Sequence, residues 1–401
     1  MSKLDELIQE YCPDGVEICS ISEICRKVVS GGTPKSGHFE YYGGSIPWLR
    51  TQEVDWNDVY DTEMKITEKG LENSAAKWIP INCVIVAMYG ATAGKVAINK
   101  VPLTTNQACC NLEIDENRAL YRYVFYWLNK EYDSLKSLGQ GSQSNINAQI
   151  IKQYPIPVPP LPVQEEIVRI LDSFTELTAE LQAELQARKK QYDYYRDELL
   201  HLDGEIVTIE DLFDTRNGFT PSKDNAEYWN DGTLPWFKVD DIKNKGRVLY
   251  DSYMHITPKA LKKSGLFPEN SIIISTSATI GEYALITVPF LCNQRFTCMT
   301  LKPHYKDRVN IKYLMHYCPM LSKYCKEHLN HGNFASVDMK QFVKFEFVIP
   351  SLEEQKRIVS ILDRFDSLCN DLTSGLPAEI EARQKQYEYY RDKLLTFKPL
   401  P

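Results

Sequence analysis

Between residues 174 and 199 the positions Phe174, Leu177, Leu181, Leu185, Arg188, Tyr192, Tyr195 and Leu199 advance in steps of three and four. That spacing places them on one face of a helix and predicts one seam of a coiled coil. A second stripe, Phe365, Leu368, Leu372, Leu376, Ile380, Arg383, Tyr387, Tyr390 and Leu394, follows the same rule. An ordinary packed helix pair would carry the same pattern. Runs of four-residue steps depart from a strict heptad and unwind a supercoil locally. In "TSGLPAEIEA", Gly375 and Pro377 predict a break, with Pro377 opening a new helix.

Elsewhere the period is shorter. "CVIVAMYG", "KVAINK", "SIIISTS" and "YALITV" are apolar, β-branched runs bounded by Gly, Asn and Pro, which reads as strands. "YRYVFYWLNKEYDSLKSL" and "IKYLMHYCPMLSKYCKEHL" have the apolar spacing of amphipathic helices. "PIPVPPLP" reads as a rigid strand-to-helix corner in preference to a ligand for an SH3-like groove, because a composition of prolines alone is weak evidence. Pro162 falls in a first helical turn, and Ser351 and Glu354 have capping-box spacing.

The chain repeats itself. "ARKKQYDYYRDELL" from Ala187 returns 195 residues later as "ARQKQYEYYRDKLL", and "QEEIVRILDSF" from Gln164 returns 191 residues later as "QKRIVSILDRF". Fainter matches precede them: "SIPWLR" and "TLPWFK", "ITEKGL" and "ITPKAL", Asn106-Gln107 and Asn293-Gln294. The period is far longer than that of a solenoid, so the chain is one duplicated unit, each copy a globular region followed by a long helix. An antiparallel pairing of the helices would follow from the long globular segment between them.

Duplication also decides the meaning of "YGATAGKV" at 89–96. A phosphate loop needs four residues between its glycines and a Ser or Thr after the Lys. Gly90 and Gly94 are separated by three, Val96 follows Lys95, and the second copy places Glu282 where Lys95 stands. A β-hairpin turn with Lys95 at the surface is expected instead.

Composition excludes little: the 43% hydrophobic and 25% charged content is that of a soluble globular protein, and the 11 Cys contain no CxxC pair, so reduced, buried thiols are expected and not a Cys-rich zinc site. No apolar run is long enough to span a bilayer, so no membrane contact and a cytoplasmic location are expected. The net charge of -8 comes largely from residues 156–204, with 5 Lys+Arg against 10 Asp+Glu, while 205–349 carry 18 against 16. Local basic surfaces therefore survive in an acidic protein.

No GxSxG, HExxH, GxGxxG or Asn-Pro-Pro-aromatic segment occurs, so no catalytic role is expected. Cys325, His328 and His331 lie at i, i+3, i+6. Such positions drift around a helix, a fourth ligand is missing, and the first copy has no equivalent, which argues against a metal.

On the two helix blocks, "PVPPLPVQEEIVRILDSFTELTAELQAELQARKKQYDYYRDELL" and "VIPSLEEQKRIVSILDRF" with "GLPAEIEARQKQYEYYRDKLL", the whole chain resembles the specificity subunit of a type I restriction-modification enzyme. The resemblance implies an α+β fold: two tandem, pseudo-repeated α/β target recognition domains at 1–158 and 203–349, separated by two long antiparallel coiled-coil helices at 159–202 and 350–398. It implies that each domain reads half of an asymmetric, interrupted double-stranded DNA sequence. It implies docking of two modification (methyltransferase) subunits, and of restriction/translocase subunits, with S-adenosylmethionine, ATP and Mg used by those partners and no cofactor in this chain. A coiled-coil scaffold without DNA readout, and a stand-alone enzyme, are the competing classes.

Arg and Lys read guanine, and Asn and Gln read adenine, in the major groove. Loops that recur in both copies and carry such groups nominate Thr33, Lys35, Arg50, Gln143 and Asn145 in the first and Thr220, Lys223, Lys238, Arg295 and Asn333 in the second. Ordinary solvated side chains are the competing reading of each. Trp48 and Trp236 fit core better than base stacking. Tyr192, Tyr194, Tyr195, Tyr387, Tyr389 and Tyr390 exceed what a two-helix seam can bury, which leaves docking of modification subunits or packing on the recognition domains.

Overall fold

A computed structural model describes residues 2–139, 145–201, 203–330, 335–370 and 374–401. The chain forms two compact units, one of residues 1–180 with 381–401 and the other of residues 181–380. The division falls inside helices. A central helix, Leu161–Leu200, gives its first half to one unit and its second half to the other.

In the first unit a five-stranded sheet runs in the order Cys25–Ser30, Cys109–Ile114, Val84–Ala87, Val96–Asn99, Asp58–Val59, antiparallel except for the last pair. Three further strands, Lys65–Ile66, Tyr42–Leu49 and Thr104–Thr105, form a second sheet. The second unit repeats both: Phe213–Asn217, Phe296–Leu301, Ser271–Ser275, Tyr283–Ile286, Val248–Leu249, then His255–Ile256, Leu234–Phe237, Leu291–Cys292. The middle strands "VIVA", "VAIN", "SIIIS" and "YALI" are buried at every position, because both sheet faces are covered. One cover is the helix Tyr121–Lys130, six of whose residues are buried; its counterparts are Ile311–His316 and Cys318–Glu327.

In each unit a short strand near the start of the domain pairs antiparallel with the strand that enters the long helix, Glu17–Ser20 with Pro155–Val158 and Glu205–Thr208 with Glu346–Ile349. Each helix thus departs beside the point where its domain begins. The proline-rich segment is the expected corner: its first four residues are strand and the helix starts at Leu161. Ser351 accepts the Glu354 N–H at 3.3 Å, but the Glu354 carboxylate turns to Arg357 at 2.6 Å, so only half of the capping box forms.

"YGATAGKV" is a hairpin turn, with Val84–Val86 paired to Val96–Ile98 and Gly90 and Gly94 at φ of 82° and 88°. Lys95, expected at the surface, is there only in part. Its side chain is 26% exposed and ion-paired to Asp55, since the turn folds back over the loop after Arg50.

The helices pair antiparallel within each unit. Phe174 of the central helix stacks on Tyr390, centroids 5.4 Å apart, in the helix Leu376–Leu394. In the second unit Tyr195 stacks on Phe365 at 5.9 Å, and the helix Leu352–Asn370 then runs back toward Arg188 and Lys189. Leu177, Leu181 and Leu185 are half-buried, as a two-helix seam requires. Leu368 departs from the expected stripe: it is 38% exposed while Cys369 is 1% exposed, so the inward face advances by four from Phe365 where three was expected. Leu372 lies outside the described residues. The break occurs as expected, one helix ending at Asn370 and the next starting at Leu376 with Pro377 in its first turn.

Glu166, 3% exposed in the central helix, holds Arg169 at 2.6 Å and Lys3 at 2.9 Å. The Arg169 hydrogen bonds, followed by those from Lys3, hold its carboxyl down to about 2. A carboxyl depressed in the folded state contributes stability that is complete above its unfolded value near 4.5 and lost as pH falls toward 2. Glu166→Gln should therefore destabilise by about 1–2 kcal/mol at pH 7, the two cations being well exposed, and in thermal melts the gap to the parent should narrow below pH 4.5 and close only near pH 2.

Candidate nucleic-acid interface

The strand Cys25–Ser30 runs into a loop, Gly31–Lys35, that crosses the strand end at Thr105 so closely that a Cβ on Gly31 would lie 2.0 Å from the Thr105 carbonyl oxygen. The Gly32 N–H bonds that oxygen at 2.9 Å. Two aromatic donors then pin the loop from beneath: Trp48 Nε1 to the Gly32 carbonyl at 2.9 Å and the Tyr42 hydroxyl to the Pro34 carbonyl at 2.6 Å. Thr33 and Lys35 are left exposed. The Thr33 hydroxyl donates to Oε1 of Gln107, also exposed. Gln107 stands on a turn made by Asn106, whose N–H bonds Leu49 at 2.9 Å and whose Oδ1 accepts the Ala108 N–H at 3.2 Å.

The second unit builds the same arrangement. Gly218 approaches the Cys292 carbonyl, 2.2 Å from where a Cβ would sit. Trp236 Nε1 bonds the Phe219 carbonyl at 2.9 Å, and Trp229 Nε1 bonds that of Ser222 at 3.0 Å. The Thr220 hydroxyl donates to Oε1 of Gln294, and Asn293 shapes the turn by accepting the Arg295 N–H at 3.0 Å. Lys223, Gln294 and Arg295 are exposed. Trp48 and Trp236, at 5% and 3% exposure, are core residues that lock these loops.

The other nominated residues stand apart. Arg50 is 26% exposed, held by Glu63 at 3.0 Å and Glu53 at 3.7 Å, so reaching a base would cost it those pairs. Lys238 caps a short helix and lies 3.7 Å from Asp240. Asn145 Oδ1 accepts the Gly90 N–H at 3.4 Å and belongs to the hairpin turn, not to the Thr33 loop. Gln143 and Asn333 lie outside the described residues. Sequence reasoning passed over Gln107 and Gln294 as site residues, although their recurrence in Asn-Gln pairs was the signal.

Each long helix is keyed to its domain by a buried glutamine at the head of the repeated "QEEI" and "QKRI" blocks. Gln164 donates to Pro159 O at 2.7 Å and Arg118 O at 3.0 Å and accepts the Leu120 N–H at 2.9 Å. Gln355 donates to Pro350 O at 2.9 Å and Arg308 O at 3.0 Å and accepts the Asn310 N–H at 2.8 Å. Two turns further on, Asp172 binds Arg122 at 2.6 Å and the Tyr126 hydroxyl at 2.5 Å. Its counterpart Asp363 binds His316 at 3.0 Å and Lys312 at 3.3 Å, and the His316 hydrogen bond lowers the Asp363 carboxyl.

These keys correct part of the tyrosine surface. Tyr387, 7% exposed, packs near Tyr126, and Tyr192 turns inward to the His316 ring at 3.2 Å. Both rings follow the inward stripe of their helix, Tyr387 buried and Tyr192 half-buried. Tyr194 and Tyr389, at 62% and 61% exposure, point outward, each edge-on to Tyr195 or Tyr390. Cys325 is buried in the core, which pushes its thiol up to about 12, and His328 Nδ1 bonds its own helix carbonyl at Tyr324. His331 lies outside the described residues. Among the described residues no helix is long and apolar enough to cross a membrane.

Comparison with known proteins agrees with this duplicated plan. The family described as the type I restriction modification DNA specificity domain matches twice, over residues 13–188 and 202–382. The specificity subunit of the type I restriction enzyme EcoR124I/EcoR124II of Escherichia coli is 43% identical over 303 residues, covering 71% of this chain and 72% of that one. Two solved structures share the fold: a type I restriction-modification S subunit from M. genitalium, TM-score 0.57 at 14% identity over 94% of this chain and 96% of that one, and a chain from a type I R-M system studied for its complex assembly and conformational transition, TM-score 0.61 at 16% identity over 96% and 98%. With both halves of the chain matched and both built to one plan, the protein belongs to the type I restriction-modification DNA specificity family.

Proposed function

We propose that this chain is the non-catalytic subunit that directs a type I system to an asymmetric, interrupted DNA sequence, each domain reading one half-site. What carries the reading is repetition: one sheet plan and one exposed, pinned loop with a Thr–Gln pair occur once in each unit. The helices serve as spacer. Forty residues extend about 60 Å at 1.5 Å per residue, against roughly 34–36 Å for one turn of duplex. Two modification subunits dock on the helical regions, where Tyr194, Tyr195, Tyr389 and Tyr390 offer exposed aromatic surface, and restriction subunits join them. S-adenosylmethionine, ATP and Mg are used by those partners. Thr33, Lys35, Lys223 and Arg295 are the DNA contacts favoured by exposure, with the half-buried Thr220 beside them; Arg50, Lys238 and Asn145 contribute only after releasing their present partners.

Methylation sequencing of the host genome with the gene deleted and then restored tests this. One asymmetric, interrupted, adenine-methylated sequence should vanish and return. Survival of every methylated motif in the deletion strain, with the modification subunits still produced, overturns the proposal.

A further inference from the structure

Polar pairs recur between the two domains: Lys69 with Glu40 is matched by Lys259 with Glu227, and a further pair joins two loops through a side-chain amide. Thr33 with Gln107, and Thr220 with Gln294, form the same hydrogen bond between the same two loops. The scaffolding behind them is also the same: a glycine in van der Waals conflict with any Cβ, a tryptophan indole bonded to the loop carbonyl, and an asparagine that shapes the turn carrying the glutamine. Such support fixes where the glutamine amide points.

The hydrogen-bond arithmetic shows what that amide can do. A glutamine side chain has one carbonyl oxygen and two N–H donors. The oxygen is taken by the threonine hydroxyl in both copies, and among the described residues neither amide nitrogen meets a protein partner. What each copy presents outward is therefore a fixed pair of donors, with one lone pair of the oxygen left over beside the threonine. Lys35 in the first loop, and Lys223 and Arg295 in the second, place positive charge beside them. Donor pairs flanked by cations suit an anion, and neutral amide donors with Lys and Arg are the usual partners of phosphate oxygens on DNA.

Repetition then separates two kinds of contact. Under the specificity reading, on which this inference rests, the two half-sites differ in sequence. A group present in identical form in both domains cannot carry that difference. It must meet what the half-sites share, and every half-site shares the phosphodiester backbone. We propose that Gln107 and Gln294, each held by its threonine, are paired phosphate contacts that set the register of their domains on the duplex without reading bases. Sequence discrimination is left to positions at which the two copies differ.

Gln107→Glu with Gln294→Glu separates this role from a loop latch. The carboxylate keeps an acceptor for the threonine hydroxyl but replaces the outward N–H donors with an oxygen that repels phosphate. The complex reconstituted with its own modification subunits would be titrated with a bipartite cognate duplex and with a scrambled duplex of equal length, alongside thermal melts and methylation sequencing. The double variant should bind both duplexes more weakly by the same factor, roughly tenfold or more, with unchanged melting and an unchanged methylated sequence. A loss confined to the cognate duplex would mean base reading and overturns the proposal. Unchanged affinity for both duplexes would make the pair a latch alone and overturns it too. If the unmutated complex shows no preference for the cognate duplex, the specificity reading fails, and this inference falls with it.

Discussion

Insertion of one four-residue unit into "LTAELQAEL", Leu177 to Leu185, should change the gap of the methylated sequence and leave both half-sites as they are. The stretch holds two consecutive Xaa-Ala-Glu-Leu units, and their leucines, Leu177, Leu181 and Leu185, occupy one half-buried stripe of an unbroken helix. Four added residues continue the stripe, so the seam is kept while the helix lengthens by roughly 6 Å and turns about 40° beyond a full revolution. Base pairs rise about 3.4 Å and turn roughly 35° each, so the rise favours two added pairs and the rotation one. A gap longer by one or two pairs is the expected result, and deletion of a unit should shorten it by as much. Methylation sequencing of strains carrying each variant reads the answer directly. A changed base within either half-site would mean that the helix contributes to base reading, and would sink the ruler.

Much of this arrangement is legible in the sequence because duplication tests each local reading twice. The hairpin at Gly90–Gly94 was resolved by its counterpart at Gly281, and the fourfold steps along the central helix are visible without any structure. What the sequence hides is which face each repeated side chain takes. Tyr192 and Tyr194 are alike in composition, but a two-residue step on a helix is 200°, so one goes to His316 and the other to solvent. Cys369 displaces Leu368 from the seam for the same kind of reason, one residue from the helix end. Gln107 and Gln294 were visible only as a repeated dipeptide, because their partners Thr33 and Thr220 lie 74 residues away in the chain. Residue type nominated Arg50 as a base reader, whereas the structure ties it to Glu53, three residues on, and to Glu63, thirteen residues on, a pairing that no local pattern in the chain shows.

The buried glutamines should prove the most sensitive positions for stability. Gln164 and Gln355 are fully buried, and each satisfies three backbone groups at the junction of a domain and its helix: two carbonyls and the N–H of the residue that starts the next helix. Truncation to Ala strands all three and leaves a hole. Each stranded buried group costs about 1–3 kcal/mol, partly recovered where water enters the cavity, so a net loss of about 3–4 kcal/mol is expected per site. For a unit of about 200 residues this lowers the melting temperature by roughly 6–16 °C. The two sites lie in different units, so Gln164→Ala should lower one calorimetric transition and Gln355→Ala the other, with additive effects in the double variant. Gln355→Glu should be worse than Ala near neutral pH, because a carboxylate oxygen would then face the Pro350 and Arg308 carbonyls with no donor between them. A shift below about 1 °C in either single variant would mean that the junction is held by apolar packing alone, and the glutamines would lose the anchoring role assigned to them here.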